Sequence, residues 1–119
     1  MQDDLQSLGT ILPLVVPEIV TFPAEVDITN SDVSGWALLA AFRRGVTVVI
    51  ADLSQTVFCD SSGIRWLLIA SNQAACTGSR LRVVAGEAAV RKSLHILGAD
   101  QTLALYPDMQ AALTGSPAG

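Results

Sequence analysis

Several kinds of chemistry are short of material in this chain. There is one histidine, His95, and one lysine, Lys92, in 119 residues. Serine hydrolysis needs a base beside its nucleophile, and the single histidine falls inside a late helical stretch. Gly-x-Ser-x-Gly is also absent, because Ser61 and Ser62 lie between Asp60 and Gly63. Two cysteines and one histidine show no ligand spacing for a metal, and no glycine-rich phosphate loop is present, so no cofactor is expected. A phosphorylated receiver domain would need an acidic cluster at a strand end with a supporting lysine. Asp3-Asp4 lies near the start of the chain instead. Cys59 and Cys76 read as reduced thiols rather than a disulfide framework. Cys59 beside a helix start could be activated, but the neighbouring Asp60 opposes a thiolate, which favours a small buried thiol. An enzyme is not expected.

Charge is scarce too. Charged residues make up 15% of the chain, and 7 basic against 11 acidic side chains leave a net charge of −4. Nucleic-acid binding needs a basic face to displace phosphate counterions, and the basic residues here are scattered apart from Arg43-Arg44 and Arg91-Lys92. The apolar runs around Ile11 to Val16 and Trp36 to Phe42 are too short to cross a bilayer. Met1-Gln2-Asp3-Asp4 is acidic where a secretory signal would be basic. A cytoplasmic location without membrane insertion is expected.

What is abundant is apolar: half the residues are hydrophobic, enough for one globular domain with a sizeable core. The pattern centres on Val46 to Ala75. Val46-Thr47-Val48-Val49-Ile50 reads as a strand buried on both faces. The following segment loops outward, with Val57 and Phe58 expected to anchor it back into the core. Asp60, Ser61 and Ser62 then supply acceptors for the unpaired N–H groups of a helix start. Gly63 is expected to admit another backbone at close range. Beyond it, Ile64, Leu67, Leu68, Ser71 and Ala75 recur at helical spacing. On physical grounds alone the Asp-Ser-Ser-Gly cluster reads first as a helix cap.

Around this unit the chain is expected to be polar and loose over residues 1–10, ordered over 11–114, and flexible over 115–119. Ile11 to Phe22 should hold one or two short strands interrupted by Pro13 and Pro17 and closed by Pro23. Proline cannot donate to a sheet ladder, so these strands belong at an edge, and an antiparallel first strand would suit them. Thr29 to Asp32 offers N-caps for a helix to about Arg44, whose Leu38, Leu39 and Phe42 face the sheet and which Gly45 ends. A strand over Leu81 to Ala85 precedes a helix over Glu87 to Leu97, with Val90, Leu94 and Leu97 on one face and Gly98 closing it. Thr102 to Tyr106 is a last strand, and Pro107 introduces a final helix over Asp108 to Leu113. Strands alternating with helices predict an α/β fold on a mostly parallel sheet.

Asp60-Ser61-Ser62-Gly63 after a hydrophobic strand, with Ile64-x-x-Leu67-Leu68 behind it, resembles the signature of STAS domains. Within them it is similar to the stand-alone anti-sigma factor antagonists. Ala24-Glu25-Val26-Asp27 resembles the family's Gly-Glu-x-Asp element, and Val48 to Ser54 its strand ending in Asp-Leu-Ser. Gly78 to Val84 and Val90 to Gly98 match the next two elements, so residues 18–114 are covered in family order. The resemblance implies a single STAS-like domain, with a mixed, mostly parallel sheet and about four helices packed on it. It also implies partner switching: the unphosphorylated protein binds an anti-sigma factor with serine kinase activity, phosphorylation of Ser61 releases it, and a phosphatase resets it. Partner contact would involve Asp27, Asp60, Ser61, Ser62, Gly63 and Trp66. Asp27 could also cap the helix after Ile28, a role compatible with partner contact.

Departures from the family pattern are few. Ala24 replaces a usual glycine, Cys59 a larger aliphatic residue, and Arg65 and Trp66 residues that are usually small or aliphatic. Trp66 lies off the apolar stripe, so it is either wedged against a neighbouring helix or exposed as a binding anchor. The alternative from another class is a STAS subunit or adaptor of a lipid or anion transport system, which the intact Asp-Ser-Ser-Gly disfavours. Neither reading fixes an oligomeric state.

Overall fold

The computed structural model describes residues 16–115. Expectations for residues 1–15, including any strand before Pro17, and for residues 116–119 lie outside the described residues. Among the described residues there are six strands: β1 (Glu18–Thr21), β2 (Glu25–Val26), β3 (Val48–Asp52), β4 (Phe58–Cys59), β5 (Arg80–Val84) and β6 (Ala104–Tyr106). Among the described residues four α-helices accompany them: α1 (Ser31–Arg43), α2 (Ser61–Thr77), α3 (Ala88–Ile96) and α4 (Met109–Thr114), with a short 3-10 turn at Ala99–Gln101.

Four strands form one sheet in the order β1-β3-β5-β6, and every pair in it is parallel. Parallel neighbours need long crossovers, which α1, α2 and α3 provide in turn. In the central pair, β3 and β5, Val49 stands beside Leu81 and Ala51 beside Val83. Among the described residues β1 stands at an edge between Pro17 and Pro23, where a missing N–H costs the ladder nothing. The fold is thus the expected α/β arrangement, and all its described strand pairs are parallel.

The central strands bury both faces by alternation. Val49, Ala51, Leu81 and Val83 point into the larger core, with Leu38 and Phe42 of α1, Ile64 and Leu67 of α2, and Val90 and Leu94 of α3. Ile50 and Val84 point the other way and meet Tyr106 and Ala112, under α4. Each fully buried aliphatic side chain of this kind is worth about 1.5–3 kcal/mol.

Three details differ from the sequence pattern. In α2 the buried stripe is Gly63, Ile64, Leu67, Ala70 and Ala74, so Ser71 and Ala75 turn away from the core. In α3 Val90 and Leu94 are buried, but the helix ends before Leu97, which is 52% exposed. The loop after β3 is anchored by Leu53 and Thr56, both 0% exposed, whereas Val57 and Phe58 are half exposed. Thr56 replaces them as anchor because its hydroxyl donates to the Pro23 carbonyl at 2.8 Å, satisfying a buried polar group that sequence hydrophobicity overlooks.

Candidate functional site

The two short strands outside the main sheet assemble the site. β2 and β4 pair in parallel, with Val26 opposite Cys59. The Ala24 carbonyl accepts from the Val57 N–H at 2.8 Å, and the Val26 carbonyl from the Asp60 N–H at 3.0 Å. This ribbon sets the turn after Val26 beside the start of α2. Ala24 fits without strain, since among the described residues no non-glycine residue has a positive φ.

Asp60 is the N-cap of α2. Its Oδ1 accepts from the Ser62 N–H at 2.9 Å and the Gly63 N–H at 3.3 Å, and the Ser62 hydroxyl donates to the same oxygen. The Ser62 hydroxyl bond, more than any other influence, lowers the Asp60 pKa from its ordinary 3.8. Partial desolvation opposes that shift, and backbone N–H groups of Gly63, Ser62 and Ile28 reinforce it. The neighbouring serines therefore differ. Ser62 is half-buried and committed to the cap, whereas Ser61 is exposed, and its hydroxyl makes no hydrogen bond among the described residues.

Gly63 is needed for side chains rather than for another backbone. A Cβ there would stand 2.6 Å from both Cys59 Sγ and Val26 Cγ1, so α2 could not seat on the ribbon. Cys59 is correspondingly buried, and burial first, then the Asp60 charge, raises its thiol pKa to about 11. It is an unreactive packing thiol at neutral pH. Cys76 is exposed and likewise free.

Asp27 does not cap α1. Asn30 holds the N-cap position, and Asp27 instead closes a local turn. Its Oδ1 accepts from the Thr29 N–H at 2.9 Å and from the Thr29 hydroxyl, while its carbonyl takes the Ser31 N–H at 2.8 Å. The Asn30 side chain clamps the same turn, accepting from the Asp27 N–H at 2.9 Å and donating to the Glu25 carbonyl at 2.8 Å. Short polar side chains compete well for such local backbone partners, which delays the helix to Ser31.

Trp66 lies in the seam between α1 and α2. Its ring occupies the space above Gly35, where a Cβ would fall 2.1 Å from the indole. The indole Nε1 donates to Asp32 Oδ1 at 2.9 Å, and the Trp36 ring lies 5.4 Å away, centroid to centroid. The residue is half-buried and also borders the surface next to Ser61.

Ser61 stands on a ridge between two grooves. One, of about 520 Å³, is lined by Ile28, Asp32, Ser62, Arg65, Trp66 and Ile69 among others. The second, of about 270 Å³, runs between β4 and α3 and takes in Phe58, Ile64, Ser93, Ile96 and Leu97. Five of these flanking side chains are large and apolar yet at least 41% exposed: Ile28, Phe58, Ile69, Ile96 and Leu97. Sequence reasoning assigned Phe58 and Leu97 to the core and overlooked Ile28, Ile69 and Ile96. Their only signal was apolar character out of phase with the buried stripes. A cluster of this kind around a polar centre suits a protein-binding face.

A family model described as the STAS domain matches residues 13–112. The anti-sigma-F factor antagonist RsfB of Mycobacterium tuberculosis is 26% identical over 101 residues, which is 85% of this chain and 82% of that protein. A crystal structure of an anti-sigma factor antagonist from Mycobacterium paratuberculosis superposes with a TM-score of 0.76 at 27% identity, covering 84% and 85% of the two chains. Bacillus SpoIIAA in its phosphorylated form shares the fold at a TM-score of 0.65 and 16% identity, covering 87% and 93%.

Proposed function

The chain belongs to the STAS domain family, and on that premise we propose that it is an anti-sigma factor antagonist working by partner switching. It is a regulatory binding protein rather than an enzyme, acting in the cytoplasm. The observation that carries the reading is the asymmetry of the two serines: Ser61 offers a free hydroxyl on an apolar-rimmed ridge, while Ser62 is held by Asp60. The similarity to anti-sigma factor antagonists supports the partner class.

Unphosphorylated, the face around Ser61, with Asp27, Asp60, Ser62, Gly63 and Trp66, binds an anti-sigma factor that is also a serine kinase. In the kinase, Ser61 Oγ attacks the γ-phosphorus of ATP, the bond to the ADP oxygen breaks, and a base of the kinase takes the hydroxyl proton. The product carries roughly 1.5 to 2 negative charges and three acceptor oxygens at Ser61. The start of α2 tolerates that charge through the helix dipole, so the domain stays folded. The partner face does not, because a misplaced charge at a desolvated interface costs several kcal/mol, and about 1.4 kcal/mol is tenfold in affinity. A phosphatase restores the serine.

Incubation with the cognate kinase and ATP should add one phosphate, located on Ser61 by fragmentation mass spectrometry. Ser61→Ala should block that addition and retain partner binding in calorimetry. Ser61→Glu should bind at least tenfold more weakly. Phosphate on Ser62, or undiminished binding by Ser61→Glu, overturns the proposal.

A further inference from the structure

We infer that Arg65 is the intrachain counter-ion of the phosphorylated state, drawing the phosphate on Ser61 into the groove beside Trp66. The inference rests on Ser61 being the phosphorylation site. Ser61 and Arg65 are four residues apart on α2, the spacing that places two side chains one above the other on a helix face. Both residues line the 520 Å³ groove and so border one concave surface. Arg65 is exposed and makes no ion pair, hydrogen bond or cation–π contact among the described residues.

Among the described residues, the other charges that line the two grooves are negative. Asp60 caps the helix directly before Ser61, Asp32 of α1 lines the groove beside Trp66, and Asp27 occupies the adjoining turn. Asp32 is partly occupied by the Trp66 N–H, and α3 brings only Ser93, Ile96 and Leu97 to the second groove. Among the described residues, Arg65 is therefore the one cation lining either groove. A guanidinium presents a planar fork to phosphate oxygens, and its reach from the next turn matches a group on Ser61. The unphosphorylated serine gives it nothing ionic to hold, so the pairing forms only in the switched state. Once formed, it folds charge and bulk over Ile28, Trp66 and Ile69, and the partner loses that groove as well as the ridge.

The test uses the full chain with phosphoserine incorporated at position 61 during synthesis, followed by phosphorus NMR across pH. The second ionisation of phosphoserine lies near 6, and a paired cation lowers it. Parent protein should titrate roughly half a pH unit below Arg65→Gln, with Arg65→Lys between them because it keeps the charge and loses the fork. The gap should close in 1 M salt, where screening acts within about 3 Å. Unphosphorylated Arg65→Gln should melt with the parent. Coincident titrations of the three proteins, or a lower value for Arg65→Gln, overturn the inference. Because the phosphate is installed without a kinase, this result is separate from that of the kinase experiment, which alone decides whether Ser61 is the natural acceptor.

Discussion

At the scale of single residues, Asp60 and the two serines after it divide the labour of one tetrapeptide. Asp60 holds the helix start, Ser62 holds Asp60, and Ser61 is left for exchange with the outside. Asp60→Ala should therefore cost about 1 kcal/mol of stability at pH 7, measured by urea denaturation. The acid side follows from the direction of its pKa. The folded-state value is below the ordinary 3.8, so the charged cap contributes fully above 3.8 and is lost as the pH falls through the folded value. Asp60→Asn keeps an acceptor without the titration, and its stability should be flatter than the parent's below pH 4.

At the scale of elements, the contact between α1 and α2 rests on a glycine and a tryptophan fitted together. With no Cβ at Gly35, the Trp66 ring lies against the α1 backbone, and Asp32 one turn earlier receives its N–H. Gly35→Ala would put a carbon 2.1 Å from that ring, so the helices must separate. A loss of roughly 1–3 kcal/mol is expected, with a changed near-ultraviolet tryptophan signal. Trp66→Ala opens the same notch and should cost about 2 kcal/mol, since the ring is only half-buried. Partner binding by that variant, measured well below its melting temperature, separates packing from docking. Retained affinity would show that Trp66 serves the helix seam alone.

At the scale of the whole molecule, stability and function occupy different parts of the architecture. The parallel sheet is buried between α1, α2 and α3 on one face and α4 on the other. The β2–β4 ribbon is two residues long in each strand and lies at the ridge that carries Ser61. Hydrogen exchange should follow this division. Amides of Ile50, Ala51 and Val83 should exchange only with global unfolding, while those of Val57, Phe58 and Asp60 should open at lower free energy. Equal protection in ribbon and sheet would show instead that the site is as rigid as the core.

Much of this was legible in the chain because it depends on neighbours in sequence. The run Val46 to Ile50 predicts a strand buried on both faces, found at Val48–Asp52, and the cap residues of α2 stand directly before that helix. The α/β alternation and the central parallel pair follow from the same local periodicities. What the sequence left open depends on contacts distant along the chain. Phe58 and Leu97 are as apolar as any core residue, and only the pairing of β4 with β2 and the end of α3 turn them outward beside Ser61. Trp66 acquires its place from Gly35, and Gly63 is required by Cys59 and Val26 rather than by any local turn. Asp27 closes its own turn because Asn30 and Thr29 compete for it more closely than the helix does. Local sequence thus determined the main strands and helices, though not the β2–β4 ribbon, since backbone propensity and hydrophobic period act within a few residues. Tertiary packing decided which apolar side chains are left over at the surface, since burial is settled only when distant elements meet.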